Sequence, residues 1–160
     1  MKLLYCPTCG NKLSLKEIGD EGMIPYCQKC LKPWFDITYP TVIVLVVNEN
    51  KEVLLLKQNE VTKDFYVLVA GYHQPGETLE STAIREVLEE TGQVVNKFVY
   101  QKSFYYEKKD NIISGFIAYV KKQPFNQSLE VDELKWATIQ EAKQLIKEGS
   151  IAYQMLELYI

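Results

Sequence analysis

The sequence predicts an α/β chain: a mixed sheet sandwiched between helices, preceded by a small cysteine-rich ribbon. Three observations predict it. Four cysteines stand as two Cys-x2-Cys pairs near the start, an almost unbroken β-branched run, TVIVLVV, covers Thr41 to Val47, and a well-bounded amphipathic helix follows a strand and loop near the middle. At 160 residues the chain can hold an ordinary domain plus a small module. Its net charge of -3 and lack of a long basic run leave no electrostatic footprint for strong, non-specific nucleic-acid binding. No apolar stretch reaches membrane-span length and MKLLYCPTCG lacks a signal-peptide h-region, so a cytoplasmic protein without membrane contact is expected. Asn126-Gln127-Ser128 fits a glycosylation sequon, but a cytoplasmic chain is not presented for that modification.

In chain order the ribbon comes first. Cys6 and Cys9 form one knuckle and Cys27 and Cys30 the other, with seventeen residues between them, the spacing of a four-cysteine Zn²⁺ site. Gly10 permits the tight turn after the first knuckle, and Leu31 holds the matching place in the second. So short a segment buries little core, so the metal supplies much of its folding energy. Four protein ligands leave no open position for water, which makes the zinc structural. Disulfides are the competing account, disfavoured in a reducing cytoplasm, and iron in a rubredoxin-like site is weaker still. Pro40 marks the boundary, and two units are expected, residues 1–38 and 39–160.

Thr41 to Val47 reads as a buried strand, Asn48-Glu49-Asn50 as a turn, and Glu52 to Gln58 as its hairpin partner, with Lys57 and Gln58 at the polar end. Phe65 to Ala70 forms a third strand that delivers the chain to Gly71. A helix spans about Leu79 to Thr91, with Thr78 as N-cap and Gly92 at C′. Val94 to Tyr106 and Ile112 to Val120 read as two long strands, and Trp136 lies in a short one. A last amphipathic helix starts near Ile139, breaks at Gly149 and resumes from Ser150 to the C-terminus.

The middle helix carries the chemistry. At ~100° per residue Leu79, Ala83, Ile84, Val87 and Leu88 gather on one side, while Glu86, Glu89 and Glu90 share an arc of roughly 100° on the other. Like charges so spaced oppose each other by a few tenths of a kcal/mol per pair, and the helix C-terminus disfavours anions further. A hard dication, Mg²⁺ or Mn²⁺, turns that repulsion into ligation; the alternative is a solvated acidic face with Arg85 as partial counter-ion.

The spacing Gly71, Glu77, Arg85-Glu86-Val87, Glu89-Glu90, Gly92 resembles the Nudix hydrolase box, G-x5-E-x7-R-E-U-x-E-E-x-G-U, where U is bulky and aliphatic. Every charged and glycine position matches, and the departure is Gln93 at the last U, a position that packs the fold more than it touches chemistry. The resemblance covers roughly residues 40 to 160 and implies the Nudix α/β/α sandwich. It also implies Mg²⁺- or Mn²⁺-dependent hydrolysis of a nucleoside diphosphate linked to another group. On that resemblance Glu86, Glu89 and Glu90 hold the metal, joined by the Gly71 carbonyl and by Glu130, with Glu133 in reserve. Glu77 braces the loop through Arg85, and Glu86 or Glu90 is the general base.

A ribbon ahead of such a domain, with AGYHQPGETLE leading into the box, is similar to the NADH pyrophosphatase subgroup. Tyr72 matches its aromatic, whereas Gln74 stands where the subgroup has an acid. Its marker, S-Q-P-W-P-F-P-x-S, is eroded to Ser103 and an aromatic at Tyr106. Tyr72, His73, Phe104 and Tyr106 are the candidate substrate contacts, with core packing the alternative for the aromatics and plain exposure for the histidine. The expected substrate is NADH, ADP-ribose or a similar dinucleotide. The alternatives are a nucleotide cap at an RNA 5′ end, which the charge does not indicate, and a non-catalytic nucleotide sensor or adaptor using the ribbon for partner binding. Members of the subgroup commonly form homodimers, the assembly the resemblance implies.

Overall fold

A computed structural model describes residues 2–159; Met1 of the expected ribbon and Ile160 of the last helix lie outside the described residues. The ribbon holds β1 (Ser14–Glu17), β2 (Met23–Cys27) and β3 (Lys32–Pro33), antiparallel in that order. Both knuckle turns need a left-handed residue: Gly10 supplies φ of 71°, and Leu31 adopts 56°. For a leucine that conformation costs about 1 kcal/mol, offset by Leu31 N–H donating to the Cys27 carbonyl (2.8 Å).

The larger sheet contains β4 (Tyr39–Val47), β5 (Val53–Lys57), β6 (Val69–Tyr72), β7 (Val95–Tyr106), β8 (Asn111–Val120) and β9 (Glu133–Ala137). Its order is β7-β8-β4-β5-β9, with β6 beside β4. β4 and β8 run parallel and the other pairs antiparallel, so the sheet is mixed, as the sequence predicts. β4 is central and apolar on both faces, which explains its unbroken hydrophobic run. Val42, Val44 and Val46 enter one core with Ala83 and Val87 of α1 (Leu79–Thr91). Ile43, Leu45 and Val47 enter the other, beneath α2 (Ile139–Leu145) and α3 (Ile151–Tyr159). The sheet is therefore sandwiched between helices. Among the described residues no helix is long and apolar enough to cross a membrane.

Three local expectations are corrected. The third strand lies at Val69–Tyr72 rather than Phe65 to Ala70, because β4 offers only Thr41 to Val44 to it. Upstream, Val67 bridges Leu56 and Tyr66 bridges Ile146. The latter bridge also ends α2 early: Ile146 is extended, so the break precedes Gly149. In α1, Ile84 and Leu88 are 38% and 50% exposed, whereas Glu90 is 6% exposed. The buried stripe is Thr82, Ala83, Val87, Glu90 and Thr91, rotated from the expected one so that one carboxylate enters the sheet side.

β7 is an edge strand whose ladder with β8 is interrupted between Val95 and Lys97 and between Tyr100 and Lys102. Phe98 and Tyr100 pack edge-on against Phe116 on the α1 side. After β8 the chain crosses the C-terminal end of α1, where Asn126 N–H donates to the Thr91 carbonyl (3.1 Å), and continues into β9.

Candidate active site

Gly71 pairs with Val42 and so lies on the α1 side of the sheet, where the Glu86 carboxyl rests directly against it. A Cβ at residue 71 would come within 2.0 Å of Glu86 Cδ, so any larger residue would displace that carboxyl from its place. The loop then reaches α1 through Thr78, whose hydroxyl accepts from Ser81 N–H while Ser81 Oγ accepts from Thr78 N–H. This capping box fixes where the helix begins and hence the pitch of its acids.

Arg85 is the hub. Its Nε donates to Glu77 Oε1 (2.6 Å) and its Nη2 to Glu77 Oε2 (3.1 Å) and the Tyr72 carbonyl (3.1 Å). Its Nη1 donates to Glu86 Oε1 (2.7 Å) and Glu89 Oε2 (3.0 Å). Glu77 also accepts from Thr82 Oγ1 and Gln74 N–H, and the Arg85 guanidinium first, with these donors, holds its carboxyl down at about 2. The same carboxylates raise the Arg85 pKa, Glu77 foremost. Glu77 is thus an ionised brace between the loop and α1.

Glu86, Glu89 and Glu90 line a cleft of about 270 Å³, closed on its other side by Ser128, Leu129 and Glu130. Glu130, distant in sequence, therefore meets the helix acids. Glu133 does not line this cleft; it accepts from the Tyr66 hydroxyl (2.9 Å). Glu90 Oε1 accepts from the Gln58 amide (3.2 Å) and the Ala70 backbone N–H also favours the carboxylate, while the buried Oε2 has no partner at hydrogen-bond geometry among the described residues. Burial first and Glu86 second push the Glu90 carboxyl up to about 7, and burial raises Glu86 as well. A set of hard oxygen donors with one orphaned buried atom fits a divalent cation, which would satisfy that atom and relieve the crowding of like charge. Sequence reasoning missed Gln58, whose only signal was a polar residue ending an apolar strand.

The remaining candidates sit differently. Tyr72 is 52% exposed, its hydroxyl accepting from Asn111 Nδ2 (3.4 Å). His73 is tied into the loop by Nε2 against the Glu77 carbonyl (2.9 Å) and by its N–H to the Pro40 carbonyl. Phe104 is only 8% exposed and packs into the core beneath α2 and α3, so core filling replaces base stacking there. Tyr106 is half-buried at the end of β7, paired with Asn111.

In the ribbon the sulfurs of Cys6, Cys9, Cys27 and Cys30 lie within 4.8 Å of one another, and no pair is joined by a disulfide. Cys6 and Cys30 are 3.9 Å apart and Cys9 and Cys27 3.6 Å. Zn–S bonds of about 2.3 Å in a tetrahedron require sulfur separations of about 3.8 Å, so the cluster has the dimensions of a zinc ribbon.

The NUDIX domain family model matches residues 38–159. Among curated proteins the chain is 29% identical over 157 residues to the NAD-capped RNA hydrolase NudC of Pseudomonas fluorescens and 30% identical to that of Stutzerimonas stutzeri. Each match takes in 98% of this chain but 55% of the relative, so the chain spans about half the length of these relatives. Among solved structures, a NUDIX hydrolase from Nitrosomonas europaea superposes with a TM-score of 0.74 at 23% identity, covering 97% of this chain and 89% of that one. The NUDIX domain of Shewanella oneidensis NrtR, crystallised with ADP ribose, gives 0.66 at 18% identity, covering 84% of this chain and 91% of that one.

Proposed function

We propose, from the premise that this chain belongs to the Nudix family, that it is a divalent-metal-dependent pyrophosphohydrolase acting on a nucleoside diphosphate linked to another group. The observation that carries this reading is the convergence of Glu86, Glu89, Glu90 and Glu130 on one cleft, with Glu90 Oε2 buried and unpartnered. Glu86, Glu89 and Glu90 are the residues that would hold Mg²⁺ or Mn²⁺, with Glu130 facing them and the Gly71 carbonyl as a further ligand. A divalent ion there supplies neutralisation of diphosphate charge and acidification of a water molecule. The protein's own part is orientation and proton transfer. Arg85 and Glu77 lock the loop to α1 so that the acids keep their spacing. Glu86 or Glu90, which share the metal-facing side of α1, is the candidate to accept the proton of the attacking water.

The substrate class that fits best is a dinucleotide such as NADH or ADP-ribose, with Tyr72, His73 and Tyr106 as candidate contacts. The names of the relatives favour a second form of the same chemistry, an NAD cap at an RNA end. Both readings break one pyrophosphate bond. The ribbon is proposed to bind one structural Zn²⁺ through Cys6, Cys9, Cys27 and Cys30. A panel of NADH, ADP-ribose and NAD-capped RNA, incubated with Mg²⁺ or Mn²⁺ in ¹⁸O water and read by mass spectrometry, tests the proposal. A labelled nucleoside monophosphate product is expected, and no hydrolysis of any member would overturn the enzyme reading.

A further inference from the structure

Gln93 stands where the family box expects an aliphatic side chain, yet it is fully buried. A buried amide costs free energy unless its donors and acceptor are paired. Here they are. Gln93 Nε2 donates to the Gln123 carbonyl (3.0 Å) while Gln123 N–H donates to Gln93 Oε1 (3.0 Å), a reciprocal ring like that between two paired strands. The same Nε2 lies 3.5 Å from the Pro124 carbonyl. Next to this clamp, Gly92 lies against Asn126, where a Cβ would come within 2.7 Å, and Asn126 N–H donates to the Thr91 carbonyl. An aliphatic side chain at position 93 could fill the volume but would remove both hydrogen bonds to the Gln123 peptide.

The segment held in this way runs directly to the cleft. From Asn126 it continues to Ser128, Leu129 and Glu130, the wall facing Glu86, Glu89 and Glu90. Gln127 Nε2 donates to the Val131 carbonyl and Val131 N–H to the Ser128 carbonyl, so the turn carrying Glu130 is closed on itself, and at its far end Val131 is buried and Asp132 N–H donates to the Lys57 carbonyl (2.9 Å). We infer that Gln93 is a positioning residue: its buried amide pins residues 123–126 to the end of α1 and thereby sets Glu130 against the helix carboxylates. The inference rests on the reading of that cleft as a divalent-metal site. It adds a residue that anchors the upstream end of the segment carrying the fourth acid.

The test is Mn²⁺ binding, followed by electron paramagnetic resonance on the zinc-loaded protein, for wild type, Gln93→Leu, Glu130→Gln and the double variant, with hydrogen exchange of residues 121–132. Gln93→Leu is expected to weaken Mn²⁺ by roughly tenfold and to speed exchange in the segment, with the β4 and β8 amides still protected. In the Glu130→Gln background the same substitution is expected to change Mn²⁺ affinity by less than about twofold, because its effect passes through Glu130. Equal losses in both backgrounds, or wild-type affinity and exchange in Gln93→Leu, would overturn the inference. If Gln93→Leu does not fold, Gln93→Met, closer in length, is judged by the same criteria. Absence of Mn²⁺ binding in the wild type would instead overturn the metal-site reading, and this inference with it.

Discussion

Burial and the neighbouring Glu86 push the Glu90 carboxyl to about 7 in the folded protein, whereas an ordinary glutamate titrates near 4.5. Between those values the folded state binds more protons than the unfolded one, so stability falls as pH rises and the full penalty is present above about pH 7. Glu90→Gln removes the charge while keeping an acceptor for Gln58. It is expected to stabilise the protein by an amount on the order of 2 kcal/mol above neutrality and to abolish hydrolysis. Denaturant melts at about pH 5 and pH 8 check it; an unchanged difference between variant and wild type across that range counts against a raised Glu90. Glu77 has the opposite sign. Its carboxyl, held at about 2 chiefly by Arg85, contributes stability at neutral pH that disappears as pH falls from about 4.5 to about 2. Glu77→Gln should destabilise the neutral protein and flatten the acid limb of its stability profile. An acid limb as steep as that of the wild type would speak against the brace.

At the level of elements, the bounds of α1 were legible because its signals are local: a capping threonine, an uninterrupted interior and a glycine at φ of 74°. Thr78→Ala should cost about 1 kcal/mol in denaturant unfolding, and a cost near zero would mean the cap does not carry the helix start. Which stripe of α1 faces the sheet was not legible. Periodicity groups Ile84 with Leu88, but the rotation is set by contacts distant in sequence: Glu86 against Gly71, Gln58 reaching Glu90, and Gln93 holding Gln123. The third strand was misplaced for a related reason. Its apolar residues are real, but β4 shares its edge between β6 and β5, and that division is a property of the sheet. Phe104 and Tyr105 illustrate the same limit, since adjacent aromatics on β7 go one into the core and one to 61% exposure.

Across the whole molecule, the mixed sheet, its flanking helices and the cysteine ribbon were legible from runs, periods and spacings, whereas the parallel pairing of β4 with β8 was not. That pairing joins residues about seventy positions apart and leaves no local trace. The two sheets differ in what supports them. The larger has apolar cores on both faces, while the ribbon exposes Leu4, Tyr5, Leu15, Met23 and Leu31 and gathers its four sulfurs instead. Chelation, or the pair Cys6→Ser with Cys9→Ser, is therefore expected to release about one equivalent of zinc and to erase hydrogen-exchange protection in β1 and β2. Protection in β4 and β8 should survive, and simultaneous loss in both sheets would show that the two units do not fold independently.

The interrupted ladder of β7 bears on behaviour at high concentration. An edge of twelve residues presents unpaired peptide groups to any strand that drifts near, a common route to aggregation. Two register shifts bend this edge, and Lys97 and Lys102 place charge along it. A flat, uncharged strand from another molecule therefore finds no continuous template. The irregularities that break the regularity of β7 also help keep the protein dispersed.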